Sequence, residues 1–241
     1  ATITKPTTLQ DISRAAMESK SSMDRRKLEQ FAEQNSPAGK DPAQAALANL
    51  ALGYYHLEQS NYAAAGAAFA AAQTATNPLR DYADFYAAVA AQAQGKTEQA
   101  ATFLDEFQRR NPQSPLAPRA ALENAKLLIE LQRPQDAALR LEEAVGLPQP
   151  ASLYFLARAY ELSGRHAEAA RTYQKVFFGY PLTAEATDAS TRLQDLRLKM
   201  AAEYPAPATE LWQQRADALF ARSRWKDAET AYRSLAARSE E

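Results

Sequence analysis

The amino-acid sequence predicts an all-α protein, built as a superhelical stack of antiparallel helix hairpins with about 12–13 helices. The clearest hairpin has small residues at Ala157 and Ala169, which allow two antiparallel helices to approach closely. Tyr160 and Tyr173 fill the space between these helices, and Gly164 gives the backbone freedom that the connecting turn requires. Composition supports this fold class, since alanine-rich helical segments dominate and no β-branched run alternates with polar residues over the length of a strand.

The same hairpin pattern recurs at close to the roughly 34-residue period of helical-hairpin repeats. Each unit is located by a small residue in its second helix, at Ala65, Ala100, Ala137, Ala169 and Ala228. Helix-ending prolines follow four of these units, at Pro78, Pro112, Pro148 and Pro181. Pro134 is instead predicted to lie in the first turn of a second helix, where its missing N–H has no intrahelical partner.

Residues 1–36 are predicted to form a helical cap in front of the repeats. Amphipathic patterns indicate helices over 8–17 and 22–34, with inward-facing residues at Leu9, Ile12, Ala16, Met23, Leu28 and Phe31. Turn-forming residues over 35–42 connect this cap to residues 44–182, for which we predict about four repeats.

One long helix is predicted over 183–204, with a buried face at Ala186, Ala189, Leu193, Leu196 and Met200. Residues 207–241 are predicted to form a further repeat, which opens with Trp212 and has no polar capping helix after it. We therefore expect this repeat to be truncated and its face after Trp225 to be apolar. Because solenoid repeats contact only their neighbours, we predict a single solenoid domain over 1–241.

Charge and composition limit the classes of partner. The 28 basic and 29 acidic residues give a net charge of −1, which offers no general attraction to nucleic acid. No apolar stretch approaches the roughly 20 residues that a membrane-spanning helix needs. The chain has no cysteine, which excludes disulfides, thiolate zinc sites and thiol nucleophiles. We predict a protein or peptide partner, no nucleic-acid partner and no membrane span.

Candidate catalytic chemistry is sparse in this sequence. His56 and His166 are far apart in the chain, and neither has a cluster of metal-ligating or catalytic residues near it in the sequence. The glycines are isolated in the sequence, so they form no phosphate-binding loop. We therefore predict no catalytic residue, no metal site, no cofactor and no enzymatic activity for this chain.

The small, aromatic and turn positions of these hairpins resemble those of the tetratricopeptide repeat (TPR) family. The resemblance implies a TPR-like α-solenoid whose first helices line a concave surface. Outward positions of the first helices on that surface are Leu50, Tyr54, Tyr82, Phe85, Val89, Lys126, Tyr154 and Arg158. Aromatic rings offer broad apolar contact, and Lys126 or Arg158 is suited to a carboxylate, so these eight residues are the candidate binding residues. The alternative is that Tyr82, Phe85 and Tyr154 pack against neighbouring repeats.

Four segments carry a finer resemblance, and these are residues 81–86, 107–117, 180–186 and 215–220. They are similar to the superhelical N-terminal region of bacterial soluble lytic murein transglycosylases, above all where Tyr180-Pro181-Leu182-Thr183-Ala184-Glu185-Ala186 leads into one long helix. The resemblance implies a periplasmic protein of the bacterial envelope, from which a signal peptide has been removed. Its solenoid would position a separate peptidoglycan-cleaving domain, which this chain lacks. The alternative is a freestanding TPR adaptor for protein–protein interaction in envelope assembly.

Overall fold

The computed structural model describes residues 8–19, 22–35 and 41–239. Within these ranges the chain forms thirteen α-helices and one short 3-10 helix over Ala201–Glu203, and no β-strand. The α-helices, in chain order from α1 to α13, are Leu9–Ser19, Ser22–Gln34, Pro42–Glu58, Tyr62–Ala72, Arg80–Ala93, Thr97–Arg110, Ala117–Glu130, Pro134–Glu143, Ala151–Leu162, His166–Gly179, Ala184–Met200, Thr209–Ala221 and Trp225–Ser239. The all-α prediction is confirmed, as is the position of Pro134 in the first turn of α8.

Five helix pairs are joined by the same tight turn: α3–α4, α5–α6, α7–α8, α9–α10 and α12–α13. One residue in each turn has a positive φ, at Ser60, Gly95, Gln132, Gly164 and Ser223. The following residue donates its N–H to a carbonyl five positions earlier, for example Arg165 N to Tyr160 O at 2.9 Å. This hydrogen bond is the 6→1 bond of a Schellman motif, which satisfies a helix-terminal carbonyl while the chain reverses.

The small residues that located each repeat all lie in the core. Their exposed fractions are at most 1%, at Ala65, Ala100, Ala137, Ala169 and Ala228. An alanine at this position lets the backbone of the second helix approach the first helix, which is the reason the sequence pattern predicts hairpins correctly.

The chain forms two compact units, Ala1–Ala120 and Ala121–Glu241. In the first unit, α1 and α2 pack against α3 through a core of Ile12, Leu28, Ala32, Ala48, Leu52 and Tyr55. Leu9 and Phe31 are partly buried beside this core, as predicted for the cap. The side chains of Ala16 and Met23, also predicted to face inward, lie outside the described residues.

Helices α3, α4 and α5 form the second core of the first unit. Phe69 of α4 is fully buried there, and its ring lies 5.7 Å from that of Tyr54. Asp41 caps α3 by accepting hydrogen bonds from the N–H groups of Ala43 and Gln44 at 3.1 and 3.2 Å. A side-chain oxygen at this position satisfies donors that the first helical turn leaves unpaired.

Helix α10 is central to the packing of the second unit, since α9, α11 and α12 all contact it. Its Tyr173 is fully buried. The predicted inner face of α11 is confirmed, because Ala186, Ala189, Leu193 and Leu196 are buried and Met200 packs at the edge of the same core. Thr183 begins this helix by accepting a hydrogen bond from Ala186 N at 3.2 Å.

The α12–α13 hairpin leaves an apolar surface uncovered in the second unit. Phe220, Trp225 and Tyr232 are 55%, 57% and 38% exposed, so the apolar face expected near Trp225 is present. None of the helices described is long and apolar enough to cross a membrane.

Candidate functional site

The eight candidate binding residues fall into two groups by burial. Two of them are buried and cannot line an open surface: Leu50 at 5% exposure and Phe85 at 0%. Leu50 belongs to the α3–α5 core, and the ring of Phe85 packs 6.0 Å from that of Phe107. The assignment of these two residues to an open surface was wrong, because each side chain fills space in the core between packed helices. The other six are half-buried: Tyr54, Tyr82, Val89, Lys126, Tyr154 and Arg158.

Three tyrosines cluster on the first unit, where α3 meets α5. The rings of Tyr54 and Tyr86 lie 4.6 Å apart in an edge-to-face arrangement, and both tyrosines and Tyr82 are half-buried against the α3–α5 core. Burial raises the pKa of Tyr54 well above its ordinary value, with further contributions from Tyr86 and Tyr82. The phenol therefore stays neutral and acts as a hydrogen-bonding and apolar contact.

An arginine completes this cluster on the first unit. The guanidinium of Arg119 lies 5.1 Å from the centre of the Phe85 ring. Its positive charge offsets part of the rise in the pKa of Tyr54. Arg119 is exposed and makes no ion pair with any residue that the structure describes. Sequence reasoning missed both Arg119 and Tyr86, although each lies on a first helix close to a position that it did select.

Lys126 of the second unit is already engaged by its neighbours. Its Nζ lies 2.9 Å from Glu123 Oε1 and 5.1 Å from the centre of the Phe155 ring. A carboxylate from a ligand would have to compete with Glu123 for this ammonium group. Lys126 is therefore a weaker candidate for an anion contact than the sequence suggested.

Arg158 offers an available positive charge on the second unit. It is half-buried on α9, and among the described residues its guanidinium has no hydrogen-bond or ion-pair partner. Its charge acts on the buried Tyr173, whose ring lies 5.8 Å from that of Tyr154. Tyr173 does not compensate the arginine, because its hydroxyl donates to Glu161 Oε2 at 2.8 Å and burial raises its pKa. An anion beside Tyr154 would give Arg158 the partner that it lacks.

The histidines have separate structural surroundings. His56 is half-buried on α3 with its ring 5.5 Å from that of Tyr55, and burial lowers its pKa, to which the nearby Arg25 adds. His166 begins α10. The part of the chain that the structure describes has no group of three or more metal-ligating side chains. The candidate residues described above are instead aromatic rings and guanidinium groups, which are suited to binding apolar and anionic groups of a partner.

Comparison with known proteins agrees with this architecture. The tetratricopeptide repeat family model matches residues 50–115, 85–146 and 122–181, which together make up more than half of the chain. The chain therefore belongs to the tetratricopeptide repeat family. Repeats of this kind stack into extended binding surfaces that mediate protein interactions.

Solved structures of TPR proteins share the fold. A tetratricopeptide repeat protein from Parabacteroides merdae has a TM-score of 0.59 at 16% identity, covering 95% of this chain and 91% of that chain. The TPR-like repeats of a Podosopora anserina protein described as a kinesin light chain have a TM-score of 0.51 at 18% identity, covering 80% and 94%. At these identities the likeness shows the fold alone. A search of the curated proteins found no match.

Proposed function

We propose that this chain is a non-catalytic scaffold that binds acidic peptide segments of a protein partner on the first-helix surfaces of its two units. The observation that carries the proposal is the arginine without an ion-pair partner among the described residues, found beside tyrosines on each unit. These arginines are Arg119 near Tyr54 in the first unit and Arg158, which lies one helical turn after the half-buried Tyr154, in the second.

The chemistry of these surfaces favours a peptide that carries carboxylates and apolar groups. Arg158 is half-buried, and a guanidinium that is partly shielded from water gains more from a carboxylate than an exposed one such as Arg119 does. The adjacent tyrosine rings supply apolar contact area at a low cost in side-chain entropy. Both parts are needed, since an exposed ion pair alone contributes only about 1 kcal/mol or less.

A peptide-display selection tests the proposal directly. Random peptides are selected on the purified chain, and the affinities of the selected peptides are measured by fluorescence anisotropy. We expect selected sequences to be enriched in Asp and Glu next to apolar residues. The double variant Arg119→Gln, Arg158→Gln should weaken binding by about tenfold or more, because each charge-assisted hydrogen bond contributes roughly 1.5–3 kcal/mol.

The matched control is Lys96→Gln, Arg171→Gln, which removes one exposed positive charge from each unit on the second-helix side of a hairpin, since Lys96 precedes α6 and Arg171 lies on α10. This control should retain the affinity of the unmodified chain. Equal losses in both double variants would show that only the net charge matters, and the proposal would then be wrong.

The finer proposal is that this scaffold is the superhelical part of a peptidoglycan-cleaving lytic transglycosylase in the bacterial periplasm. The similarity of segments 81–86, 107–117, 180–186 and 215–220 supports it. The alternative proposal is a freestanding TPR adaptor in envelope assembly, which would use the same first-helix surfaces.

An antibody raised against this chain separates the two finer proposals. A blot of fractionated cells gives both the native size and the compartment of the protein. A periplasmic band more than about twice the 26.5 kDa of this chain supports the transglycosylase scaffold, and cosedimentation with isolated peptidoglycan should then follow. A periplasmic band near 26.5 kDa supports the adaptor, and a cytoplasmic band contradicts both.

A further inference from the structure

A cavity of about 450 Å³ lies in the second unit, and its lining includes none of the eight candidate binding residues. Helices α10 and α11 form two of its walls, and the segment from Ala201 to Trp212 forms the third. This volume lies within the range of about 300–1,000 Å³ that is usual for small-ligand sites. The cavity exists because α11 occupies the place after the α9–α10 hairpin and α12 packs on α10 beside it.

The third wall is held in place by buried polar contacts. Gln174 of α10 is 2% exposed, and its Nε2 donates to the carbonyl of Pro205 at 2.8 Å. The same nitrogen lies 3.4 Å from the hydroxyl oxygen of Tyr204. The ring centres of Phe178 and Trp212 lie 4.6 Å apart, and both residues line the cavity. These contacts hold the wall in place before a ligand binds, so binding would lose little conformational entropy of the protein.

Ala201 adds a strained backbone to the same wall. Its φ of 49° and ψ of −115° place a residue with a Cβ atom in a region that glycine favours. Pro205 and Pro207 fix the chain just beyond it. Strain of this kind persists where the surrounding structure enforces it, and it is concentrated at ligand sites.

The lining of the cavity is mixed, with four aromatic rings, several uncharged polar side chains and one charge. Four aromatic rings line the cavity: Phe177, Phe178, Tyr204 and Trp212. Arg197 of α11 is the single charged residue among the lining side chains that the structure describes. Its guanidinium is exposed and has no hydrogen-bond or ion-pair partner among the described residues. The cavity thus combines aromatic rings with an available cation, and its described lining holds no carboxylate.

We propose that this cavity binds an aromatic carboxylate, with the ring among Phe177, Phe178, Tyr204 and Trp212 and the carboxylate on Arg197. An aromatic ring with a carboxylate is found both in a free aromatic acid and in the C-terminal aromatic residue of a partner protein. The ring requirement follows from the four aromatic walls, and the anion requirement follows from the unpaired guanidinium. This site does not depend on the peptide-binding surface proposed above, because it shares no residue with it.

N-acetyl-phenylalanine is the probe, and Trp212 is the reporter. The chain has two tryptophans, so the variant Trp225→Phe leaves Trp212 as the only source of tryptophan emission. We expect N-acetyl-phenylalanine to cause a saturable change in this emission. N-acetyl-phenylalaninamide, which has the same ring but no charge, should bind about fivefold more weakly, because an exposed ion pair contributes about 1 kcal/mol.

Arg197→Gln in the same background should reduce the affinity for the carboxylate to that for the amide. The matched control is Lys199→Gln, which removes an equal charge from an exposed site on the same helix outside the cavity. Both residues are exposed, so circular dichroism should show unchanged helicity. Absence of a saturable change, equal affinities for acid and amide, or equal effects of the two substitutions would each overturn the proposal.

A short peptide that ends in phenylalanine with a free carboxylate distinguishes the two sources of the ligand. Binding of this peptide about tenfold more tightly than N-acetyl-phenylalanine assigns the cavity to protein C-termini, because the preceding residues add contacts. Equal or weaker binding of the peptide assigns it to free aromatic acids. The cavity proposal stands in both cases, and the peptide-display experiment above is unaffected by either.

Discussion

Each of the five tight hairpin turns contains one residue whose φ is positive, in the left-handed region. Gly95 and Gly164 adopt positive φ without strain, and a Cβ added to either would meet no atom within 4 Å. Ser60, Gln132 and Ser223 adopt the same conformation with a side chain present. For residues other than glycine this conformation costs roughly 1–2 kcal/mol, so these three turns carry strain that the two glycine turns lack.

Gln132→Gly should therefore stabilise the protein by about 0.5 kcal/mol. The relief of backbone strain favours the folded state, and the greater conformational entropy of glycine in the unfolded chain offsets part of this gain. Gly164→Ala should destabilise the protein by about 1 kcal/mol through backbone strain alone, because the added Cβ would meet no neighbouring residue. Urea unfolding followed by circular dichroism measures both changes. Gln213→Gly, at an exposed site inside α12, is the control and should cost about 1 kcal/mol. Destabilisation by Gln132→Gly would contradict the assigned strain.

Tyr160 links two hairpins of the second unit through a charged network. Its hydroxyl donates to Glu142 Oε1 at 2.8 Å, and the guanidinium of Arg165 lies 4.2 Å from the centre of its ring. Arg165 also contacts Glu142 at 3.1 Å and Glu168 at 3.0 Å. Burial raises the pKa of Tyr160 to about 12, and the hydrogen bond to Glu142 and the charge of that carboxylate add to the effect.

The raised pKa predicts a loss of stability at alkaline pH. The folded state favours the neutral phenol, so its contribution is complete below the unfolded pKa near 10 and is lost as pH rises towards 12. Tyr160→Phe should flatten the decline of the unfolding free energy over this range, which urea titrations at several pH values measure. Glu142→Gln should shift one phenol titration, followed by ultraviolet absorbance, to lower pH. An identical alkaline decline in Tyr160→Phe would contradict this account.

At the scale of helices, α3 and α4 of the first unit approach each other closely at Gly53. A Cβ atom built on Gly53 would lie 2.4 Å from Cε1 of Phe69, whose side chain is fully buried. Gly66 of α4 is different, because its nearest neighbour is Nε2 of Gln94 at 3.5 Å. An added methyl group would therefore clash at Gly53 but make ordinary van der Waals contacts at Gly66.

Gly53→Ala and Gly66→Ala should change stability in opposite directions. Gly53→Ala forces Phe69 to move, which costs roughly 1–3 kcal/mol and outweighs the gain of about 1 kcal/mol in helix propensity. Gly66→Ala keeps most of that propensity gain. Thermal unfolding of the two variants measures the difference, and adding Phe69→Leu should relieve the clash in Gly53→Ala. Stabilisation by Gly53→Ala alone would show that α3 and α4 lie farther apart.

At the scale of the whole chain, the sequence was sufficient to predict the helix hairpins but only partly sufficient to predict the candidate binding residues. The alanines and helix-ending prolines are consequences of close backbone packing, so a single sequence reveals them. The eight binding candidates came from helix position alone. Position does not reveal that Phe85 is needed to fill the core, that Glu123 already pairs with Lys126, or that Arg119 lies near Tyr54. Such pairings depend on distances between side chains of different elements.

Helix contacts within each unit join neighbours along the stack, such as α2 with α3, α4 with α5 and α9 with α10. Stability in such an array is close to a sum of local terms, so a defect should be felt near its own position. Leu28 is fully buried between the cap helices and α3, and Leu219 is buried in the α12–α13 hairpin. These two residues allow a symmetric test of how far a core defect spreads along the chain.

Leu28→Ala should remove about 2–5 kcal/mol locally, because it deletes buried methyl groups and leaves a cavity. Hydrogen exchange measured by mass spectrometry should then show faster exchange in α1–α3 and unchanged protection in α9 and α10. Leu219→Ala should give the reverse pattern, with the loss confined to α12, α13 and the part of α10 that α12 contacts. If either substitution lowered protection evenly over the chain, the two units would unfold as one cooperative body and the local description would be wrong.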